Sequence, residues 1–159
     1  MTKRLNKGLE KSKKTLALDC ATRTGWAVIE AGKVVDSGMK DFRRMKADVR
    51  GDQFRRFREW LEEKVTRYRP SKIRYEQAHH RGRAATEFCI GYTTRAEEVA
   101  ATAGIGIEAV HTSKIKMFAT GKGNAGKMEM HDAAWKVLGR VPVDDNEADA
   151  VMLGLMRVK

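Results

Sequence analysis

The fold is decided by residues 15–38, which read TLALDCATRTGWAVIEAGKVVDSG. Three apolar segments in this stretch each have the length and composition of a strand. Few residues separate them, and the pair Ala31-Gly32 favours a tight turn between the second segment and the third. Three strands joined by two short links predict an antiparallel meander. The predicted strands are 15–20, 25–30 and 33–38.

After the meander, strands and helices alternate along the chain. Apolar side chains recur at helical spacing over 51–69, at Phe54, Phe57, Leu61 and Val65, and Pro70 ends the pattern. Strands that alternate with helices are parallel and covered on both faces. We therefore expect an α/β fold whose mixed five-stranded sheet has three antiparallel strands, then two parallel ones, with helices on both faces. The remaining predicted elements are helix 51–69, strand 71–76, helix 83–103, strand 106–110, short helix 113–119, loop 120–126, and helices 127–138 and 147–158.

Three acidic residues lie in or beside these apolar elements, where an acidic side chain is not expected. Asp19 falls in the middle of the first strand, and Glu76 ends strand 71–76. Asp149 lies on the first turn of the closing helix, where an apolar segment begins. A carboxylate among apolar groups costs several kcal/mol unless a partner compensates its charge, and a bound cation is the strongest such partner.

Each acid also has an ordinary explanation. Asp19 is compatible with a turn-forming residue, Glu76 with a strand-end charge, and Asp149 with an acid favoured by the helix dipole. Together, on two strands and a helix of a basic protein, they favour a shared cation site. Hard oxygen ligands suit Mg²⁺, with Mn²⁺ as a substitute. Two such ions, about 3.5–4 Å apart, would position the attacking water and the leaving oxygen of a phosphodiester.

The overall charge indicates a polyanionic partner. Lys and Arg number 32 against 21 Asp and Glu, which gives a formal net charge of +11. Such a charge attracts nucleic acid by counterion release, although a merely soluble basic protein carries it too. The arginines of helix 51–69 fit a DNA-facing surface or a solvated face equally well.

Composition also limits the organisation of the chain. A content of 42% hydrophobic and 33% charged residues predicts one globular domain over 15–159, preceded by a flexible basic arm over 1–14. No stretch approaches the roughly 18 apolar residues of a membrane span, so we expect no membrane association. Cys20 and Cys89 lack metal-site spacing, which favours free thiols in a reducing compartment.

Four motifs, in order, resemble those of the RuvC-type Holliday junction resolvases, within the RNase H-like superfamily. The first is the run 18–27, LDCATRTGWA, and the second is Tyr75-Glu76-Gln77. Lys116, Gly121, Gly123 and Lys127 are similar in spacing to the basic DNA-contacting stretch of that family, and the run 145–150, DNEADA, is similar to its C-terminal metal motif. The resemblance spans about residues 15–158. The family includes phage-borne members, so a phage origin of this chain is compatible with the resemblance.

This resemblance implies a set of site residues. Asp19, Glu76 and Asp149 would be catalytic metal ligands. The family often has Asp or His three residues before the last Asp, where this chain has Asn146, so the fourth ligand would be Asn146 or the adjacent Asp145. Lys127 would also be catalytic: with Lys116, it would hold the scissile phosphate or stabilise the charge that develops on that phosphate. The implied DNA-binding residues are Lys116, Lys122, Lys127, His79, Arg81 and Arg83.

One departure concerns His79, which stands where the family commonly has an aromatic wedge against the bases at the junction centre. Histidine stacks on bases, but less strongly than Phe. A metal site formed by His79 and His80 is disfavoured, because adjacent residues of a strand point to opposite sides.

The implied activity is an Mg²⁺-dependent endonuclease that cuts four-way or other branched DNA junctions as a homodimer, without a small-molecule cofactor. The implied location is the cytoplasm of a bacterial cell or a phage-infected host, in association with the nucleoid. Three alternatives remain open: an RNase H-like nuclease that acts on RNA–DNA hybrids or flaps, a catalytically degenerate protein that only binds junctions, and a housekeeping RNA-processing protein of the same fold.

Overall fold

A computed structural model describes residues 13–77 and 82–157, which form one mixed sheet with helices on both faces. The strands are β1 (Thr15–Asp19), β2 (Arg23–Glu30), β3 (Lys33–Asp41), β4 (Lys72–Glu76) and β5 (Gly106–Val110). The helices are α1 (Arg50–Tyr68), α2 (Arg83–Ala103), α3 (Thr112–Thr120), α4 (Lys127–Leu138) and α5 (Asp145–Leu155). None of the helices in these two ranges is long and apolar enough to cross a membrane.

The sheet has the strand order β3-β2-β1-β4-β5. The first three strands pair antiparallel, and β4 is parallel to both β1 and β5. The predicted five-stranded mixed sheet is therefore confirmed. The hairpin between β2 and β3 turns through Ala31 and Gly32, both with positive φ, as expected for the turn type that matches the twist of the strands.

Two apolar layers cover the sheet because its strands alternate their side chains between the two faces. Leu16, Leu18 and Ile73 face α1 and α2 in one layer, while Ala17 and Ala27 face α5 in the other. The stripe predicted on α1 lies in the first layer, with Phe57 and Leu61 fully buried. Successive residues of each strand therefore pack against different helices.

Three element positions differ from the prediction. Asp19 is the last residue of β1 rather than a mid-strand residue, since the strand pairs only through Thr15–Asp19. The closing helix begins at Asp145, because the Asp144 side chain accepts a hydrogen bond from the Glu147 amide at 3.0 Å and caps the helix there. Asp149 therefore lies on the second turn of α5, not on the first.

Smaller differences affect other element ends. β2 starts two residues earlier than predicted, β3 continues to Asp41, and α3 starts at Thr112, where His111 provides its cap. The predicted arm 1–14 lies mostly outside the described residues. Of its two described residues, Lys14 accepts hydrogen bonds through its carbonyl oxygen from the Ser71 amide at 2.9 Å and the Ser71 hydroxyl at 3.2 Å.

Helix α1 ends in an unusual way. Its C-cap residue, Arg69, has φ 49° and ψ 54°, which is the left-handed conformation. That conformation costs a residue with a side chain on the order of 1 kcal/mol, and glycine is the usual solution. Helices α2, α3 and α4 each use that solution, ending at Gly104, Gly121 and Gly139.

Arg74 fixes the end of α5 against the sheet. This arginine of β4 is 3% exposed and donates through Nη1 to the carbonyl oxygens of Leu153 at 3.0 Å and Met156 at 2.6 Å. Its Nε lies 2.5 Å from Oε1 of Glu108 on β5. One buried cation thus satisfies the last carbonyls of α5 and the carboxylate of a neighbouring strand, so α5 and β4 are held together.

We expect Arg74→Met to lower the free energy of unfolding by about 3 kcal/mol, because Glu108 and the helix carbonyls lose a buried charged partner. Urea unfolding followed by circular dichroism measures this loss. Lys72→Met is the matched control, since Lys72 pairs with the same Glu108 at 3.4 Å but is 34% exposed. A control that destabilises as much as Arg74→Met would contradict the role assigned to Arg74.

Candidate metal centre

Three carboxylates converge at the carboxyl ends of the parallel strands. Asp19 ends β1 and Glu76 ends β4, and these neighbouring parallel strands finish at the same edge of the sheet. Asp149 reaches this edge from α5. One oxygen of each side chain lies within 4.8 Å of the others, and all three residues are half-buried. The convergence predicted from the sequence is therefore confirmed, and three close oxygen donors of like charge suit a hard divalent cation.

Asp149 can approach because α5 passes very close to β2. Gly25 pairs with Asp19 across β1 and β2, and a Cβ built on Gly25 would stand 1.8 Å from the carbonyl oxygen of Asn146. A Cβ on Gly154 would likewise stand 2.6 Å from the Ile29 side chain. Glycine at both positions lets α5 lie against the strands, which brings Asp149 to the other two carboxylates.

A hydroxyl orients one of the ligands. Thr112, the first residue of α3, donates from Oγ1 to Oε1 of Glu76 at 2.5 Å. The adjacent strand end is tied by a hydrogen bond from the Gln77 amide to the Val110 carbonyl oxygen at 2.8 Å. Sequence reasoning missed Thr112. The available signal was a threonine two residues after the end of β5, at the same sheet edge as Glu76.

The pKa of Cys20 is affected by burial and by the negative charge at this edge of the sheet. Burial, together with the negative charges of Asp19, Cys89 and Glu76, raises the pKa of the Cys20 thiol well above its ordinary value. The thiol therefore stays protonated at neutral pH. Neither Cys20 nor Cys89 forms a disulfide, as predicted, although Cys89 is half-buried rather than fully buried.

The two candidates for a fourth ligand make other contacts. Asp145 is not part of the carboxylate group, and its Oδ2 lies 3.2 Å from Nζ of Lys127. Asn146 donates from its amide nitrogen to Oδ2 of Asp144 at 3.1 Å. Both residues belong to the first turn of α5, one turn before Asp149.

Lys127 contacts Asp145, one turn of α5 before Asp149, and the other residues predicted to bind DNA lie on several elements. Lys127 is the first residue of α4 and its side chain is 82% exposed. Lys122 lies in the loop before α4 and contacts Glu129, and Arg83 starts α2 and contacts Glu87. Lys116 is half-buried on α3. His79 and Arg81 lie outside the described residues, as does His80.

Glu147 is a buried acid that belongs to a separate network. Its fully buried carboxylate accepts hydrogen bonds from Arg140 at 2.6 Å, the Ser37 hydroxyl at 2.6 Å and the Val143 amide at 2.5 Å. Burial alone would raise the pKa of Glu147, but these hydrogen bonds outweigh it and lower the pKa below its usual 4.5. The residue therefore anchors the start of α5 to β3.

We expect the stabilisation from Glu147 to depend on pH. Because its pKa is lower in the folded state than in the unfolded state, this contribution is complete above about pH 4.5 and is lost as the pH falls through the folded value. Glu147→Gln should thus be less stable than wild type at pH 7, and the difference should shrink towards pH 3. Urea unfolding at both values measures it, and a constant difference would contradict the assignment.

Known structures share this architecture. No protein-family model matches the chain, and no curated protein sequence matches it. RuvC from T. thermophilus in complex with a Holliday junction substrate has a TM-score of 0.78 and 20% identity, over 90% of this chain and 91% of that one. The yeast mitochondrial Holliday junction resolvase Ydc2 has a TM-score of 0.61 and 11% identity, over 91% of this chain and 77% of that one.

The Fowlpox virus resolvase, solved with Holliday junction DNA, matches with a TM-score of 0.57 and 12% identity, over 89% of this chain and 95% of that one. These identities are low, so the likeness is one of fold. Strand order, flanking helices and the carboxylate edge together agree with the resemblance read from the sequence motifs. The chain therefore has the RNase H-like fold of the RuvC-type Holliday junction resolvases.

Proposed function

We propose that this protein is an endonuclease that cuts four-way or other branched DNA junctions with the help of divalent metal ions. The observation that carries the proposal is the meeting of Asp19, Glu76 and Asp149 within 4.8 Å at one sheet edge of a protein with net charge +11. An acidic cluster on a basic protein brings cations and a polyanionic substrate to the same place. The fold, shared with three solved Holliday junction resolvases, supports DNA as that substrate.

The carboxylates present fit Mg²⁺, or Mn²⁺ in its place, in a pair of ions. The three donors at the centre are carboxylate oxygens, the hard ligands that these ions prefer. Asp19, Glu76 and Asp149 would hold the ions, and Asn146 or Asp145 would add a ligand. When bound, such ions supply a water of lowered pKa and stabilise charge on the attacking and leaving oxygens of a phosphodiester.

The protein's own residues position the substrate strand. Thr112 keeps one Glu76 oxygen engaged, so that the other oxygen is oriented for binding. Lys127 adjoins the centre through Asp145 and would exchange that carboxylate for a phosphate oxygen of the bound strand. Lys116 on α3 and Lys122 in the loop before α4 would extend this phosphate contact. Arg83, His79 and Arg81, which follow β4 in the chain, would add further contacts.

The test offers the protein a synthetic four-way junction, a flap, an RNA–DNA hybrid and a linear duplex in parallel, with and without Mg²⁺. The proposal expects metal-dependent cleavage of the junction in preference to the other three. Preferential cleavage of the hybrid or the flap would assign the same centre to a different specificity. Junction binding without cleavage in either Mg²⁺ or Mn²⁺ would indicate a binding protein only.

We expect Lys127→Gln to lower junction cleavage on the order of 10²-fold, the usual effect of removing one donor to developing charge. The melting temperature should change by less than about 2 °C, because an ion pair this exposed contributes little stability. Lys136→Gln on the last turn of α4 is the control, with the same change at an exposed lysine about 13 Å further along the helix. Cleavage by Lys127→Gln at the control rate would remove Lys127 from the site.

A further inference from the structure

A group of basic residues lies at the end of the sheet opposite the carboxylates. We call it the amino-end surface, after the amino ends of the parallel strands. The Ser71–Lys14 hydrogen bonds place the end of α1 beside the start of β1, and Thr15 pairs with Lys72 at the same edge. The Arg74–Met156 contact brings the end of α5 to this edge as well. The surface consists of Lys13, Lys14, Lys33, Arg67, Arg69 and Arg157.

The arginines of this surface carry uncompensated charge. Within ranges 13–77 and 82–157, no ion pair involves Arg67, Arg69 or Arg157, and all three are exposed. The four other arginines of α1 each contact an acid: Arg50, Arg55, Arg56 and Arg58. Two nearby acids already have partners, since Glu108 contacts Arg74 and Asp36 accepts a hydrogen bond from Tyr68. Glu63, one helical turn before Arg67, forms no ion pair with it. Glu30, cross-strand from Lys33, offsets part of that lysine's charge.

Backbone conformation singles out Arg69 within the surface. This residue occupies the left-handed C-cap of α1, where the three other left-handed caps are glycines. An arginine at such a position is strained, and strain retained at an exposed residue indicates a role for its side chain. Arg67, two residues earlier, has its guanidinium 5.2 Å from the centre of the Tyr68 ring, which restricts its motion.

We propose that the amino-end surface binds the phosphate backbone of a second DNA segment, separate from the strand at the carboxylate centre. Arginine forks match phosphate oxygens, and partly ordered guanidinium groups lose less freedom on binding. The two ends of β1 are about 13 Å apart at the rise of a strand, and they face in opposite directions. One straight duplex cannot contact both ends, whereas another arm of a branched DNA can. The assignment of this segment to the branched substrate rests on the proposed function.

The test measures how junction affinity depends on salt, with the full chain, a fluorescent four-way junction and no divalent ions, so that no strand is cut. Each lost phosphate contact should reduce the slope of log K against log salt by about 0.9. Arg69→Gly should therefore lower the slope by about one, with a melting temperature equal to or above that of wild type, since glycine suits the left-handed cap. The triple variant with Arg67→Gln, Arg69→Gly and Arg157→Gln should lower the slope by about 2–3 and weaken binding by roughly 10- to 10²-fold at 0.1 M salt.

Arg55→Gln is the matched control, since it removes the same charge from the same helix at a residue already paired with Asp52 and Glu59. The proposal is overturned if Arg69→Gly and the triple variant keep the slope of that control, as they would if the surface served an acidic protein or a membrane instead. Its failure is separable from failure of the proposed function. The slope is measured without catalysis, whereas the proposed function fails when Mg²⁺ gives no cleavage, whatever the slope.

Discussion

Asp19→Asn is expected to reduce Mg²⁺-dependent junction cleavage by roughly 10³-fold or more, because bound ions contribute several kcal/mol of transition-state stabilisation. Its melting temperature without metal should equal or exceed that of wild type, since one of three like charges within 4.8 Å is removed. The rise in melting temperature that Mg²⁺ gives the wild type should largely disappear, because a ligand stabilises only the state that binds it. Gel assays of cleavage and thermal melts with increasing Mg²⁺ measure these effects.

Asp132→Asn provides the control for Asp19→Asn. Asp132 is an exposed residue of α4, and the substitution makes the same chemical change outside the carboxylate group. This variant should keep both wild-type cleavage and the wild-type response to Mg²⁺. If Asp19→Asn cut junctions at the rate of Asp132→Asn, or melted with the same Mg²⁺ dependence, the three carboxylates would not be the metal centre.

Gly25→Ala should disrupt the fold and the centre together. The added methyl group would stand 1.8 Å from the Asn146 carbonyl oxygen and 2.7 Å from the Glu147 amide nitrogen. Both atoms are backbone, so α5 must move away from β2 by roughly 1.5 Å or more to reach an ordinary contact distance. We expect a loss of about 4 kcal/mol or more in the free energy of unfolding. Any folded fraction should not respond to Mg²⁺, since metal sites tolerate displacements of only about 0.5 Å.

Gly51→Ala is the control for Gly25→Ala. A Cβ at Gly51 meets nothing within 4 Å, and the residue lies inside α1, so the substitution should stabilise the protein by roughly 0.5 kcal/mol. Denaturant unfolding compares the two variants directly. A Gly25→Ala protein that unfolds at the urea concentration of wild type would mean that α5 does not need this close approach.

The sheet and its helices were predictable because their signals are local. The apolar composition of β1 and β2, the stripe on α1 and the turn at Ala31-Gly32 are local sequence features that the folded structure retains. Element ends were less predictable, since they depend on contacts between distant segments. Helix α5 starts earlier than predicted because Asp144 caps it. Strand β1 ends at Asp19 because its pairing with β2 stops there.

The carboxylate cluster was predictable from the sequence, whereas the residues that support it were not. A carboxylate in an apolar strand is visible in the sequence, so Asp19 and Glu76 stood out before their distance was known. Thr112 and Arg74 did not, because their importance comes from partners 36 and 79 residues away in the chain. The contacts of Asn146 and Asp145 depend on side-chain orientation within one helical turn, which residue order does not determine.

The arrangement around Arg74 has a consequence for how the protein responds to heat. Arg74 and Glu76 are two residues apart on β4, while the carbonyl groups that Arg74 binds belong to the helix that carries Asp149. Detachment of α5 would therefore expose a buried cation and separate Asp149 from the other two carboxylates in a single event. Partial opening at this end of the chain is costly, so the three carboxylates should stay together up to the temperature at which the whole domain melts.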